Sequence, residues 1–212
     1  MNHFDFSESS LDALRASIRS GLSEYRFRHI AEVESMIVRL GALYLPDEIP
    51  MLRAAALLHD FTKELPAEEH ERILAEHGIL IPEVCPSQSL YHAVTAALLI
   101  PEHFPTLASD VLVSAVRYHT TGRAGMTMPE MLLYLADFID ESRTFDDCVL
   151  ARRAFWDANP AAMSASERQK HLYRSLIDTV DRTVASLLRR ASPISLDSIR
   201  MRNDLLTALK SL

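Results

Sequence analysis

The chain has 212 residues, of which 48% are apolar and 24% are charged, and these proportions exclude an intrinsically disordered protein. Its 29 acidic residues outnumber 22 basic ones, giving a net charge of −7 with no basic block, so we expect no extended nucleic-acid partner. A small polyanion could still bind if metal ions supplied positive charge locally.

Apolar residues recur at helical spacing along most of the chain, and only five glycines are present, so the sequence predicts an all-α fold. A capping box at residues 9–12 is expected to start the first helix, Pro101 to end the fifth, and Pro129 to lie in the first turn of the seventh. The predicted helices cover residues 7–20, 23–41, 46–60, 66–78, 87–100, 108–119, 128–143, 146–158, 165–190 and 195 onward. A proline-containing connector (79–87) and a loop (120–125) separate some of them.

The length predicts one domain. We expect residues 1–22 to form an N-terminal helix packed on the core, residues 23–160 to form that core, and residues 161–212 to add C-terminal helices of the same domain. Exposed leucine and valine residues on those last helices are compatible with a homodimer, although the sequence does not decide between packing and dimerisation.

The location of the protein is predicted from what the sequence lacks. Its first ten residues do not resemble a signal peptide, and its longest apolar runs are far shorter than a membrane span. Cys85 and Cys148 lie far apart with no CxxC spacing, which excludes a disulfide framework. We therefore expect a cytoplasmic protein with no membrane partner.

Four histidines and two aspartates lie on or at the end of separate apolar helices, where a charged or polar group is costly to bury without a partner. One such histidine alone would more often be a hydrogen-bonded core residue, but six would each need a separate partner, whereas a shared metal centre satisfies all of them. Imidazole and carboxylate ligands suit iron, manganese, zinc, cobalt or nickel better than calcium. The six residues are His29, His59, Asp60, His92, His119 and Asp137.

Asp60 is a candidate bridge, because the carboxylate of an aspartate can join two ions that lie roughly 3.5–4 Å apart, as two-metal hydrolases require. The remaining histidines occur in polar or loop-like surroundings and are predicted not to bind metal. They are His3, His70, His77, His103 and His171.

The order of the six residues resembles the H…HD…H…H…D signature of HD-domain phosphohydrolases. Residues 56–63 are similar to the HDxxK helix of that superfamily. Residues 118–127, together with Asp137 and Arg143, are similar to the YqeK branch, the symmetrical bis(5′-nucleosyl)-tetraphosphatases. The resemblance covers residues 23–153, with a weaker continuation near Thr183 and 193–203; the departures are Thr62 and Asp140, where a smaller residue and a glutamate are expected.

The resemblance implies an HD-domain helical bundle with a dinuclear centre of two divalent or mixed-valence ions. Iron is implied first, and manganese, cobalt, nickel or zinc also suit the ligands. One ion would be held by His29, His59, Asp60 and Asp137, and the other by Asp60, His92 and His119. A hydroxide between the ions would cleave a small-molecule nucleotide substrate, diadenosine tetraphosphate, at its middle into two ADP.

Several further residues are candidates for substrate contact, and Lys63, one helical turn past Asp60, is predicted to act with it in catalysis. Hydroxyl and backbone N–H groups suit phosphate, and guanidinium groups suit it bidentately, although a salt bridge or a solvated helix end is the alternative for each cation. The candidates are Arg26, Lys63, Thr120, Thr121, Gly122, Arg123 and Arg143.

The sequence is compatible with three other functions. The same metal site could serve another nucleotide, such as a deoxynucleotide monophosphate, a nucleoside triphosphate or a guanosine alarmone. The fold could instead form a catalytically inactive nucleotide-sensing module, or a helical interaction protein whose histidines are structural. Product analysis, nucleotide binding without turnover, and metal analysis distinguish these alternatives.

Overall fold

The protein is all-helical, as predicted, in a computed structural model that describes residues 5–79 and 87–212. No strand occurs in these two ranges, and short 3-10 turns cover Pro46–Glu48, Gln88–Leu90 and Pro160–Ala162. The α-helices are α1 (Glu8–Arg19), α2 (Glu24–Tyr44), α3 (Ile49–Leu58), α4 (Ala67–Glu76), α5 (Tyr91–His103), α6 (Asp110–Tyr118), α7 (Met128–Ile139), α8 (Asp146–Asp157), α9 (Ala165–Arg189) and α10 (Leu196–Lys210). The predicted connector, together with Cys85 and His3, lies largely or wholly outside the described residues.

Serine caps fix several helix starts. The Ser23 hydroxyl accepts a hydrogen bond from the N–H of Arg26, and Ser195 caps α10 in a similar way. The first helix is capped by Ser7 rather than by the predicted box at residues 9–12, because the Ser7 side chain accepts from the N–H of Ser10.

Three predicted helix ends differ from the observed ends by three residues or more. Helix α2 continues past the predicted end at Gly41 to Tyr44. Helix α5 continues past Pro101 to His103, since the proline removes only one hydrogen-bond donor and the N–H of Phe104 still donates to the carbonyl of Ile100 at 2.8 Å. Helix α7 ends at Ile139 rather than at 143. Asp140 is extended (ψ 156°) and its carboxylate accepts from the N–H of Ser142 at 2.9 Å, which competes with helical hydrogen bonding.

The main hydrophobic cluster runs through the bundle from Leu11 in α1 to Leu205 in α10, and a small second cluster contains Leu74, Tyr91 and Val94. At its centre α2 packs on α3 and α7, α3 packs on α6, and α6 packs on α7. Helix α9 contacts α7, α8 and α10. The N-terminal and C-terminal helices therefore share this core, while the limits 1–22, 23–160 and 161–212 remain a prediction.

Helix α3 positions the most important pair of residues. It is buried on every side from Ala54 to Leu58, and three consecutive alanines let α2 and α6 approach it closely. His59 and Asp60, which follow the C-terminus of α3, therefore lie in the middle of the bundle, where each is at most 3% exposed.

Helix α1 is attached to this core by a buried carboxylate. Glu34 of α2 accepts hydrogen bonds from Arg15 of α1 and Arg53 of α3, each guanidinium Nε lying 2.9 Å from a carboxylate oxygen. We expect Glu34→Ala to lower the free energy of unfolding by about 1–3 kcal/mol in a urea titration, because two partly buried cations lose the buried carboxylate that they share and keep only the exposed carboxylates of Asp12 and Glu8. Glu76→Ala, which breaks an exposed pair with Arg72, serves as the control and should cost less than about 1 kcal/mol. Equal losses in the two variants would contradict the structural role of Glu34.

Within residues 5–79 and 87–212, no helix is long and apolar enough to cross a bilayer.

Candidate metal centre and cleft

The six predicted ligand residues converge in the centre of the bundle. His29 comes from α2, His59 and Asp60 directly follow α3, His92 lies in the first turn of α5, His119 caps α6, and Asp137 lies on α7. All six are at most 9% exposed. Five helices distant in sequence thus bring one cluster of imidazoles and carboxylates together.

The carboxylate of Asp60 lies between two groups of side chains. Its Oδ2 atom lies 3.7 Å from His29 Nε2 and 3.5 Å from His59 Nε2. Its Oδ1 atom lies 3.1 Å from His92 Nε2 and 3.7 Å from His119 Nε2. The two oxygens of one carboxylate therefore face different histidine pairs, an arrangement that suits a bridge between two ions.

Asp137 belongs to the first of these groups. Its Oδ1 atom lies 3.0 Å from His29 Nε2 and 3.7 Å from His59 Nε2. Among the described residues, two sets of three side chains have donor atoms within 4.8 Å of one another and could hold a metal ion. They are His29 with His59 and Asp137, and His59 with Asp60 and His119.

Hydrogen bonds made by Nδ1 of two imidazole rings leave Nε2 of each ring free for a metal. His59 Nδ1 donates to the carbonyl of Ala56 at 2.6 Å, and His119 Nδ1 donates to the carbonyl of Val116 at 2.7 Å. These bonds place the ring proton on Nδ1 and the lone pair on Nε2. Nε2 of both His29 and His59 is buried without a hydrogen-bond partner, so the donor set fits a bound cation.

The charge states of His92 and His119 are consistent with that fit, whereas His29 is protonated near pH 7 and must lose a proton to bind a metal. Burial lowers the pKa of His92 to about 3 against the opposing effect of Asp60, and burial also lowers the pKa of His119, so both rings are neutral near pH 7. Although burial opposes it, contacts with Asp137 and Asp140 raise the pKa of His29 to about 9. Burial raises the pKa of Asp60, but the surrounding histidines hold it well below its ordinary value.

Three cations surround the cluster. Arg26 donates to Asp60 Oδ2, and Arg143 Nη2 donates to Asp137 Oδ1 at 2.5 Å. Lys63 Nζ lies 3.0 Å from His92 Nδ1, and burial lowers its pKa. These groups offset the charge of the carboxylates and supply positive potential for an anion.

A partly buried chain of hydrogen bonds orients His29 through its Nδ1 atom. Its Nδ1 donates to the hydroxyl of Ser142 at 3.2 Å, and that hydroxyl in turn donates to Asp140. Asp140, which departs from the glutamate expected by resemblance, is thus a supporting residue. Thr62, the other departure, is buried and donates to the backbone carbonyl of His92 at 3.0 Å.

We expect Asp140→Ala to weaken metal binding by about 10-fold to 100-fold, because the chain of hydrogen bonds that orients His29 loses its acceptor. Calorimetric titration of manganous ion into metal-free protein measures the affinity. Glu141→Ala is the matched control, since it removes the same charge from a neighbouring side chain that is 53% exposed. An unchanged affinity for Asp140→Ala would show that the chain of hydrogen bonds does not position His29.

A cleft of about 390 Å³ opens over the cluster. Most of the predicted site residues reach its wall, and the hydroxyl oxygen of Thr120 is buried there without a hydrogen-bond partner. The predicted residues that line it are Arg26, Asp60, Lys63, His92, His119, Thr120, Thr121, Asp137 and Arg143.

Two predicted substrate contacts lie elsewhere. The N–H of Gly122 donates to the carbonyl of Tyr118 at 2.8 Å, and this glycine packs against Met201, so its backbone is already used. Arg123 Nε donates to the fully buried Glu130 at 3.0 Å, which is the salt-bridge alternative for this cation. The structure therefore assigns both residues to packing of the loop rather than to the cleft.

Sequence reasoning missed one whole wall of the cleft, which the C-terminal helices provide. Thr183 and Leu187 of α9, Arg190 and Pro193 of the following turn, and Ser198 of α10 all line it. The weak family resemblance near Thr183 and 193–203 was the only available signal, since these residues form no recognisable chemical motif.

Three of the four other histidines in the described part of the chain make local polar contacts, and the ring of His103 lies 6.3 Å from that of Phe104. His70 Nδ1 lies 2.9 Å from the Thr95 hydroxyl, His77 Nδ1 donates to the Ile73 carbonyl, and His171 Nε2 donates to the Phe155 carbonyl.

Comparison with known proteins identifies the family. The sequence matches the HD domain over residues 26–186, so the chain belongs to the HD domain family. It is 27% identical over 192 residues to the symmetrical bis(5′-nucleosyl)-tetraphosphatase of Bacillus subtilis (strain 168), covering 91% of this chain and 95% of the relative. It is also 27% identical over 193 residues to the protein of the same name from Halalkalibacterium halodurans, with the same coverage.

A solved structure has the same fold. The predicted HD superfamily hydrolase involved in NAD metabolism from Clostridium acetobutylicum superposes with a TM-score of 0.79 at 25% sequence identity, covering 93% of this chain and 97% of that one. The resemblance inferred from the histidine and aspartate pattern is confirmed, and the relatives support assignment of the protein to the phosphohydrolases.

Proposed function

We propose that the protein cleaves diadenosine tetraphosphate symmetrically into two ADP with the help of two metal ions. The observation that carries this proposal is the position of Asp60, whose two carboxylate oxygens face different histidine pairs. The names of the relatives at 27% identity support the substrate.

The six clustered side chains would form two ion-binding positions. His29, His59 and Asp137 would hold one ion and His92 and His119 the other, with Asp60 shared between them. When bound, two such ions polarise phosphoryl oxygens and lower the pKa of a coordinated water to about 7. Iron is the ion that the resemblance favours, and manganese, cobalt, nickel or zinc suit the same ligands.

Binding of the polyphosphate would depend on the cations and hydroxyls of the cleft. Lys63 Nζ would neutralise charge on the departing ADP, and the unpartnered Thr120 hydroxyl would donate to a phosphoryl oxygen. Arg26 and Arg143 would orient Asp60 and Asp137 while adding positive potential. In the reaction one water adds across the central anhydride, the bond from the bridging oxygen to an inner phosphorus breaks, and each half becomes ADP.

Product identification tests the proposal. Metal-loaded protein is incubated with diadenosine tetraphosphate, and the nucleotides are separated by anion-exchange chromatography. ADP alone is the expected product, whereas ATP plus AMP would mean asymmetric cleavage and contradict the proposal. Turnover of another nucleotide in preference, or binding without turnover, would favour the alternatives of a different nucleotide hydrolase or a nucleotide sensor.

A further inference from the structure

A second cleft adjoins the first across the metal centre. It has a volume of about 270 Å³ and shares Lys63, Ser89 and His92 with the larger cleft. Its other lining residues, which the larger cleft lacks, include Leu65 at the end of the α3–α4 connection and Ala67 at the start of α4. The two clefts thus meet at the side chains that border the proposed reaction site.

The two clefts differ in charge. Among its lining residues, the larger cleft has Arg26, Arg143 and Arg190 in addition to Lys63. Of the described residues that line the smaller cleft, Lys63 is the one lysine or arginine, and it lies at the shared end. Phosphate groups would therefore be stabilised in the larger cleft and at the junction, but not at the far end of the smaller one.

The chemistry of that far end suits a nucleoside. Leu65 and Tyr91 provide apolar surface, and the rings of Tyr91 and His70 lie edge to face with their centroids 6.1 Å apart. The amide of Gln88 offers both a donor and an acceptor, as the edge of a base requires. Apolar walls with a few polar groups are the usual lining of a small-molecule site.

We propose that the smaller cleft binds the second nucleoside of a dinucleoside polyphosphate, so that the substrate passes Lys63 with one nucleoside in each cleft. This inference rests on the proposed function and adds a specificity site for it. The second nucleoside contributes binding energy that a nucleotide with a single nucleoside cannot obtain.

Blocking the smaller cleft tests the inference. Two substrates are compared, diadenosine tetraphosphate and adenosine 5′-tetraphosphate, which has the same phosphate chain but lacks the second nucleoside. We expect kcat/KM of the wild type to favour the first by at least about tenfold, since stacking and base contacts are commonly worth that much. Ala67→Phe, which places a ring in the smaller cleft, should reduce this preference to near one.

Ala154→Phe is the matched control, because Ala154 lines a separate cleft between α8 and α9. It should retain the wild-type preference. Calorimetric binding of a methylene-bridged, non-hydrolysable analogue of diadenosine tetraphosphate gives a second readout, and Ala67→Phe should weaken it at least tenfold while leaving ADP binding less affected. If Ala67→Phe unfolds, Gln88→Ala replaces it, with a smaller expected loss in the same direction.

The outcomes separate this inference from the proposed function. A wild type that yields two ADP but does not prefer the dinucleotide would overturn the inference while leaving the function intact. A preference that Ala67→Phe and Gln88→Ala do not change would also overturn it. A wild type that does not cleave diadenosine tetraphosphate at all would overturn the proposed function itself.

Discussion

Asp60→Asn is expected to lower kcat/KM for diadenosine tetraphosphate by at least about 1,000-fold. Asp60 supplies one oxygen to each histidine pair, so its replacement would weaken both metal positions at once. Two-metal catalysis contributes several kcal/mol to transition-state stabilisation, and each 1.4 kcal/mol is about tenfold in rate. Steady-state kinetics with saturating manganous or ferrous ion measure the effect, and metal analysis of the variant should show less bound metal than in the wild type.

Asp47→Asn is the control for this variant, since Asp47 is an exposed aspartate in the 3-10 turn before α3. It should retain wild-type kinetics and metal content. Near-normal turnover by Asp60→Asn with two bound metals would refute the bridging role of this carboxylate.

Gly122→Ala is expected to lower the free energy of unfolding by about 2–5 kcal/mol. Gly122 has φ +61°, and a Cβ atom there would lie 2.1 Å from Met201 Sδ. The left-handed backbone costs an alanine about 1–2 kcal/mol, and the overpacking against α10 adds about 1–3 kcal/mol. Urea unfolding monitored by circular dichroism measures the loss.

Gly125→Ala separates the two contributions. Gly125 lies in the same loop with φ +66°, but no atom would lie within 4 Å of an added Cβ. It should therefore show only the backbone cost of about 1–2 kcal/mol. Equal losses at the two glycines would contradict the overpacking of an added Cβ against Met201.

The helical fold could be predicted because helix signals are local. Serine caps at residues 23 and 195 and the apolar periodicity of α2 and α3 required no knowledge of tertiary contacts. A predicted helix end was wrong where another interaction competed with helical hydrogen bonding. At Asp140, the carboxylate accepts from the backbone N–H of Ser142, and α7 ends there. Such competition depends on packing and is not visible in periodicity.

The metal cluster could be predicted for a different reason. Each of its six residues lies on or directly after an apolar helix, so each was conspicuous on energetic grounds. The structure brings all six together. It also separates Gly122 and Arg123 from the cleft, because the glycine fills a position beside Met201 and the arginine pairs with buried Glu130.

The cleft wall could not be predicted at residue level. Thr183 and Leu187 are ordinary residues on an amphipathic helix, and Arg190 lies in the turn after it; only the packing of α9 against α7 and α10 places them beside the cluster. Supporting residues such as Ser142 were missed likewise, because a short polar side chain after a helix end has many roles. Sequence thus predicted the residues that are costly to bury, and not those whose function comes from position alone.

Metal quantification by mass spectrometry on protein purified anaerobically without chelators tests the dinuclear centre most directly. Two equivalents of a transition metal per chain are expected, either as purified or after addition of ferrous or manganous ion. A stoichiometry near zero that neither ion restores would contradict the assignment of these histidines and aspartates to a metal centre.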